Sequence, residues 1–541
     1  MPYSRHEKDA PYSMKNSNPF TRYDLLLVTA IFFASMTLYI RTLAPGLLYG
    51  DSAEFQTLAY TFGITHPNGY PVFVLLMRLF TALLPIGDLA WRVNLISAVC
   101  GSLTAVFVYL IVRILAGSRF GAIAGSIILI INPIFWWNSI LIEVYVPSAM
   151  FITLIILLTL LWKQTEKPRY LAFAGLVGGL GLGLHGTIPV LAPAVLLYLV
   201  LSARTKKAWL SAITGACLGV LLVPITFFVI DSFNAPSSYY NATVRHALSV
   251  WNMTPTDFDS PLKRFDFVYF ARQFDGPFFG FNEFRSDVKH YLQALFRDFS
   301  PFTIAAMLLG GVYCFLRTKA EFFFLALAYL CQLAVVLTIG VIEVVVFYVP
   351  GYAILAIFAG LGIAFIFTVA RSFLDNLFKQ NTFLKSSSTI LLGILLILGC
   401  TFPYLDNIGN AWDNRAVSFL EGTPYADFPL MLAKPNLAYE EASILVNDLE
   451  DNAVVFTTWV RLYSYYFVSH VEQGRTNMFF HELYPTGNMD GIAQSTVDYI
   501  KRDFDKRKFY FESPPGEDVD SLFNVEMVDR GRPIYLVTGI K

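Results

Sequence analysis

A chain of 541 residues that is 55% hydrophobic and only 15% charged, with a mean hydropathy of +0.54, is excluded from the soluble class, where about a quarter of residues are charged. Its apolar residues come in blocks of roughly 20, the length of a bilayer-spanning helix, which makes it a polytopic α-helical membrane protein. The net charge of −1 provides no bulk attraction for nucleic acid.

Residues 1–23 form a polar, basic-leaning tail. The run LLLVTAIFFASMTLYI that follows is too long for a signal-peptide core and lacks a small-residue cleavage site, so it reads as an uncleaved first span. Apolar blocks then predict spans near 24–43, 93–116, 120–140, 144–162, 170–185, 187–203, 209–231, 301–317, 321–341, 347–370 and 387–405, about eleven in all. The segment 70–87 is short and carries Arg78 near its middle, where a charge costs about 2.5–3.5 kcal/mol on insertion scales.

Lys and Arg settle the orientation. With a cytoplasmic N-terminus and 70–87 lying on the outer surface, the cytoplasmic connections collect Arg113 and Arg119, Lys163, Lys167 and Arg169, Arg204, Lys206 and Lys207, Arg317 and Lys319, and Arg371, Lys379 and Lys385. The opposite connections at 141–146, 185–187 and 342–347 contain neither Lys nor Arg. This arrangement makes 24–405 the membrane domain, with outward loops at 44–92 and 232–300, and puts the tail 406–541 outside. The tail reads as a soluble α/β domain: strands at 452–458, in TNMFFHELY and in RPIYLVTG, alternating with helices in WVRLYSYYFVSHVEQG and STVDYIKRDFDKRK. It has no GxGxxG or Walker motif. All five cysteines lie in apolar blocks, which excludes a disulfide framework in polar loops.

The chemistry-bearing residues fall at outer helix ends. In GDSAEF, Asp51 and Glu54 have the spacing of a helix capping box, and Asp51 is equally placed to act as a general base. Glu143 stands among apolar residues at the next outer end, in WWNSILIEVYVPS, beside Tyr145. His185 lies in GLGLHGT, and His66 opens the turn HPNGYP, whose Pro, Asn and Gly are turn residues while the His is not. Tyr145 and Tyr348 precede prolines that open apolar helices, as interfacial tyrosines do. Arg78 and Arg92 are outward cations near the membrane surface, suited to a phosphate at headgroup level. The loop 232–300 mixes cations with Tyr239, Tyr240, Trp251 and Phe265.

GDSAEF followed by GITHPNGYPVF and LAWRVNLISA, with IEVY (142–145), GLGLHGT (181–187), FYVPGY (347–352) and NAVVFTTWVRLYSYYFVSHVEQGR (452–475), resembles the transmembrane protein 260 / protein O-mannosyltransferase-like family of GT-C class membrane glycosyltransferases. Family patterns tend toward GDSGE and HPPGYP; Ala53 and Asn68 depart from them at positions without a catalytic group.

The resemblance implies a polyprenyl-phosphate-linked sugar donor, with mannose as the family's sugar. It also implies transfer to a hydroxyl of a protein or glycan acceptor on the outer face, by inverting displacement. Asp51 would be the base and Glu54 its catalytic neighbour, with His66, Arg78, Arg92, Glu143, Tyr145, His185 and Tyr348 around donor and acceptor. A divalent metal on Asp51 and Glu143 is compatible with that set, and no cofactor is demanded. The competing reading is a non-enzymatic transporter or lipid flippase, which would need charged residues lining a route at mid-span depth; the sequence has few.

Overall fold

The computed structural model describes residues 20–274, 280, 284–339, 344–413, 436–486, 491–514 and 516–541. Most of the tail expected at 1–23 lies outside the described residues, as does part of the connection expected at 342–347. In chain order the helices are α1 (Arg22–Thr42), α2 (Gly50–Thr61), α3 (Pro71–Leu83), α4 (Leu89–Ala116), α5 (Arg119–Ile130), α6 (Pro133–Asn138), α7 (Tyr145–Thr165), α8 (Pro168–Gly181) and α9 (Ala192–Ser202). They continue with α10 (Lys206–Ser232), α11 (Pro261–Tyr269), α12 (Phe284–Asp298), α13 (Pro301–Arg317), α14 (Lys319–Val336), α15 (Tyr348–Leu377), α16 (Thr382–Thr401) and α17 (Leu405–Trp412). Capping side chains start several of them. Thr21 and Asp24 form a reciprocal capping box on α1, and Asp88, Ser118, Thr205 and Ser300 each accept a first-turn amide on α4, α5, α10 and α13.

Among the described residues, seven helices are long and apolar enough to cross a membrane, and the pair α12–α13, bent by 108°, would make eight. The expected spans 120–140, 170–185 and 187–203 are shorter helices instead. The first breaks at Asn132, which caps α6 ahead of Pro133. The other two end and restart around the irregular stretch 182–188. The segment 70–87 forms α3, whose 13 residues rise only about 20 Å. It buries Val72, Phe73, Val74 and Met77 and exposes Leu76, Leu79 and Leu83, as a helix lying at a membrane surface would.

α15 is the central helix, buried without interruption from Tyr348 to Ala364. Peripheral helices show apolar side chains outward, such as Leu25 and Phe33 on α1, Leu210 and Leu221 on α10, and Leu308 and Leu316 on α13. Such an outer surface is stable only against lipid. Small residues let helices close without a solvent-driven squeeze. A methyl added to Gly175, Gly179, Gly215 or Gly219 at the α8–α10 contact would sit 1.9–2.5 Å from a facing backbone oxygen.

The C-terminal α/β domain has a five-stranded sheet in the order β2–β1–β3–β5–β4. Its strands are β1 (Ala453–Thr457), β2 (Phe479–Glu482), β3 (Lys508–Phe511), β4 (Phe523–Asp529) and β5 (Pro533–Ile540). β1 is fully buried and runs parallel to both neighbours, with Val455 opposite Phe480 on one side and Tyr510 on the other. β5 closes the sheet antiparallel to β3 and β4. The expected strands 452–458, 476–484 and 532–539 are present, whereas β3 falls partly inside the stretch expected to be helical, which stops at Asp503.

Candidate active site

The outer-loop residues converge on one end of the bundle, and a buried amide network fixes them there. Gln56 on α2 accepts from the Leu48 amide at 2.9 Å and donates to Asn94 Oδ1 on α4 at 3.0 Å. Asn94 in turn donates to Ala44 O at 2.9 Å and accepts from the Ile142 amide at 3.2 Å. Loop 44–48, α2, α4 and the turn before Glu143 are thereby tied together.

α2 does not begin with the expected capping box. Tyr49 occupies the cap position without a side-chain bond, and Asp51 already lies within the first turn. The two carboxylates have other partners. Glu54 is fully buried: its Oε1 accepts the His66 amide at 2.7 Å and its Oε2 accepts His66 Nδ1–H at 2.5 Å. The HPNGYP turn delivers that histidine. Gly69 donates to His66 O at 2.7 Å from a left-handed backbone (φ +76°) only glycine adopts freely, and Asn68 donates to Tyr269 O at 2.7 Å.

Asp51 is 43% exposed, with Oδ2 3.7 Å from His66 Nε2 and Oδ1 accepting Trp459 Nε1–H at 2.7 Å. Glu143 joins the group through Ser52, whose Oγ lies 2.9 Å from Ile142 O and 3.3 Å from Glu143 Oε1.

Electrostatics follow from this crowding. Burial opposes a charge on His66, but Glu54, Asp51 and Glu143 outweigh it and hold the imidazole up at about 9. Burial raises the Glu54 carboxyl, with the His66 charge as the main opposing influence. Near neutral pH one proton is held between the two, and the pair carries no net charge. Asp51 is the more exposed of the two carboxylate partners of His66.

An aromatic wall runs from this cluster. His66 meets Tyr70 edge to face at 5.1 Å, Tyr70 stacks on His185 at 6.0 Å, and His185 contacts Tyr145 at 5.4 Å and Phe347 at 5.7 Å. His185 is buried, with Nδ1 2.8 Å from Thr187 Oγ1. Tyr348, one residue beyond Phe347, turns into a second polar group. It packs on Tyr291 and Tyr352, and Tyr352 donates to Asp298, which also accepts Arg297 Nε–H at 2.7 Å.

The two predicted outer arginines bond elsewhere. Arg78 donates to Tyr60 O at 2.9 Å and lies over the Tyr60 ring. Arg92 donates to Thr81 O at 2.8 Å and to Leu84 and Asp88 carbonyls, closing the end of α3. Among the described residues no group of three or more His, Cys, Asp or Glu is disposed to hold a metal ion, so the geometry adds no support for one on Asp51 and Glu143.

Two residues here escape sequence reasoning, and a third was readable but not chosen. Trp459 lies 408 residues from its partner Asp51 and has no local signal. Glu482 comes from β2, where burial, with Glu54 and Asp51 nearby, pushes its carboxyl up to about 8. Arg297 was readable in RDFSP as a cation just before a span, like the loop cations that were singled out.

Known proteins resemble this chain in one stretch of sequence and in fold. Residues 51–209 match the model of the protein O-mannosyl-transferase TMEM260 N-terminal domain. The protein O-mannosyl-transferase TMEM260 of Mus musculus is 32% identical over 155 residues, 29% of this chain and 22% of that protein. The tmem260 protein of Dictyostelium discoideum is 26% identical over 171 residues, 31% of this chain and 20% of that one. The alignments thus span about a fifth of the relatives' length. In fold, the crystal structure of ArnT from Cupriavidus metallidurans bound to undecaprenyl phosphate matches 96% of this chain and 98% of its own, with a TM-score of 0.53 at 11% identity. The apo structure of the same protein matches with a TM-score of 0.52 at 12% identity. The chain therefore has the fold of ArnT along nearly its whole length and a sequence similar to the TMEM260 N-terminal domain over residues 51–209.

Proposed function

We propose that this protein transfers a sugar, mannose in the first instance, from a polyprenyl-phosphate-linked donor to a hydroxyl of a protein or glycan acceptor at the extracytoplasmic face. The observation that carries the reading is the pairing of α2 with the HPNGYP turn: a charge-neutralised Glu54–His66 couple beside an accessible Asp51. It sits where the TMEM260-like segment begins, in a chain with the fold of a protein crystallised with undecaprenyl phosphate. The extracytoplasmic assignment rests on the distribution of Lys and Arg.

In the proposed reaction the acceptor oxygen attacks the anomeric carbon while Asp51 takes the hydroxyl proton. The bond from the anomeric carbon to the phosphate oxygen breaks, and the lipid phosphate leaves with its electron pair. A single displacement inverts the anomeric centre. Glu54 and His66 hold α2 and the HPNGYP turn in place beside Asp51. Arg297, whose side chain is 40% exposed and whose Nε and Nη2 donate to Asp298, is the cation assigned to the leaving phosphate, which would share it with that carboxylate. Arg78 and Arg92 donate to backbone carbonyls, in bonds that hold α3.

Incubating the purified full chain with polyprenyl-phosphate mannose and a Ser/Thr-containing peptide tests this. The expected result is a mannosylated peptide of inverted anomeric configuration, made by the wild type and not by Asp51→Asn. A fully active Asp51→Asn would remove the base assignment. No product with any polyprenyl-phosphate sugar would remove the activity.

A further inference from the structure

The C-terminal domain docks on the helix that carries the candidate base. Its helix Trp459–Tyr466 lies along α2: Thr57 Oγ1 donates to Tyr463 O at 3.0 Å, and Ser464 Oγ donates to Leu48 O at 3.1 Å. At the head of this helix the Trp459 indole meets His66 edge to face at 5.6 Å and Tyr239 at 5.9 Å, while its N–H reaches Asp51 Oδ1. The other side of the domain is anchored on the loop after α10. His246 Nε2 bonds Glu482 O at 2.8 Å, Thr496 Oγ1 donates to His246 O at 3.1 Å, and the Ser249 amide donates to Ser495 Oγ at 3.1 Å.

We infer, building on the transfer reaction proposed above, that Trp459 is a positioning residue of that reaction and that the C-terminal domain forms the acceptor side of the site. The indole N–H is a directional donor. By occupying Oδ1 it holds the Asp51 carboxylate in one orientation and leaves Oδ2, 3.7 Å from His66 Nε2, for the acceptor hydroxyl. Trp459 is half-buried, with His66, Tyr239 and Tyr463 edge-on to its ring. Indole faces of this kind take the apolar side of a sugar ring or a peptide backbone. The ligand class is therefore a hydroxyl-bearing peptide or glycan, laid against Trp459 so that its oxygen points at Asp51.

Two variants separate the N–H from the ring, with polyprenyl-phosphate mannose and a Ser/Thr peptide as the assay. Trp459→Phe keeps an aromatic surface and removes the donor. It is expected to lower kcat roughly tenfold, the size of one lost hydrogen bond to a charged group, with acceptor KM within about twofold. The acid limb of its pH–rate profile moves to higher pH, since a carboxylate that loses a donor is protonated more readily. Trp459→Ala removes the ring as well and raises acceptor KM roughly fivefold or more, leaving donor KM unchanged.

Rates are taken per folded molecule, measured by gel filtration and thermal unfolding, so a loss of protein does not pass for a loss of function. Trp459→Phe with wild-type kcat and pH profile, while Asp51→Asn is dead, overturns this inference and leaves the proposed reaction standing. A wild type with no transfer activity overturns both.

Discussion

Asp24 and Asp51 stand at opposite ends of α1, each near the start of a helix, and they are treated in opposite ways. Asp24 is fully buried and saturated. Thr21 donates through both its amide and its hydroxyl, Tyr109 OH bonds at 2.9 Å, and the Arg113 and Arg119 Nε groups each lie at 3.0 Å. Asp51 has one neutral donor, from Trp459, and a histidine at 3.7 Å, and it is 43% exposed. An acid with every lone pair satisfied is a clasp, here joining α1 to α4 and α5. An acid left half-satisfied beside a buried ion pair is available to take a proton.

The sharpest way to break the comparison is to neutralise Asp51. Asp51→Asn keeps the size of the side chain and its bond to Trp459, so the melting temperature in detergent should stay at the wild-type value. Transfer should fall by about 10²–10⁴-fold, the contribution of a general base. An activity loss that tracks a lowered melting temperature would make Asp51 a second Asp24, a structural acid.

His66 comes next. Removing one partner of a buried pair leaves the other charge stranded, at roughly 3–5 kcal/mol. His66→Ala should therefore destabilise the fold through Glu54, and Glu54→Gln added to it should recover part of the loss. The same pair gives a pH signature. His66 is held with its proton up to about 9 against an ordinary 6.5, so its stabilising contribution is fully present below 6.5 and disappears as pH rises through about 9. Wild-type stability should fall across that interval, and the fall should vanish in the Glu54→Gln/His66→Ala double variant. A wild-type melting temperature flat from pH 7 to 10 would show that the imidazole is not held as an ion.

Asp24→Asn tests the clasp end. Arg113 and Arg119 lose their shared anion, a change of about 2 kcal/mol for bonds to a charged group. Transfer per folded molecule should be unchanged, as measured by comparing specific activity with the fraction surviving gel filtration.

Much of this was legible in the sequence because membrane segments obey simple length and charge rules. The basic connections predicted one end of the bundle, and Arg113 and Arg119 do gather there, around Asp24. The sequence also made Asp51, Glu54, His66, Glu143, Tyr145 and His185 candidates one by one, and in the structure they share a neighbourhood. Local signals gave less at three points. Asp-x-x-Glu is a capping spacing by local logic, but Glu54 is drawn to His66 by a contact no i, i+3 rule contains. Helix ends at Asn132 and Gly181 interrupt what hydropathy reads as continuous spans, because hydropathy records apolarity and not where a backbone turns. Trp459 depends on the docking of a domain whose strand order, β2–β1–β3–β5–β4, pairs segments far apart in sequence.

The smallest expected effect concerns the residue that chemistry alone made most attractive as a phosphate ligand. Arg92 sits at a helix head on the side of the acids, and a forked guanidinium suits a phosphate. Its donors, however, point at Thr81 O, Leu84 O and Asp88 O, and the first two belong to the end of α3, where helical carbonyls have no partners of their own. Arg92→Gln should then cost less than about 1 kcal/mol, in line with a partly exposed cap, and should leave the KM for polyprenyl-phosphate mannose unchanged. Arg297→Gln, which removes the cation beside Tyr348, should raise that KM. The reverse outcome, a donor KM that rises with Arg92→Gln and not with Arg297→Gln, would mean that Arg92 releases α3 when the lipid phosphate arrives. The leaving group would then lie on the acid side of the aromatic wall, and the division of the site into a proton-accepting end and a phosphate-binding end would have to be redrawn.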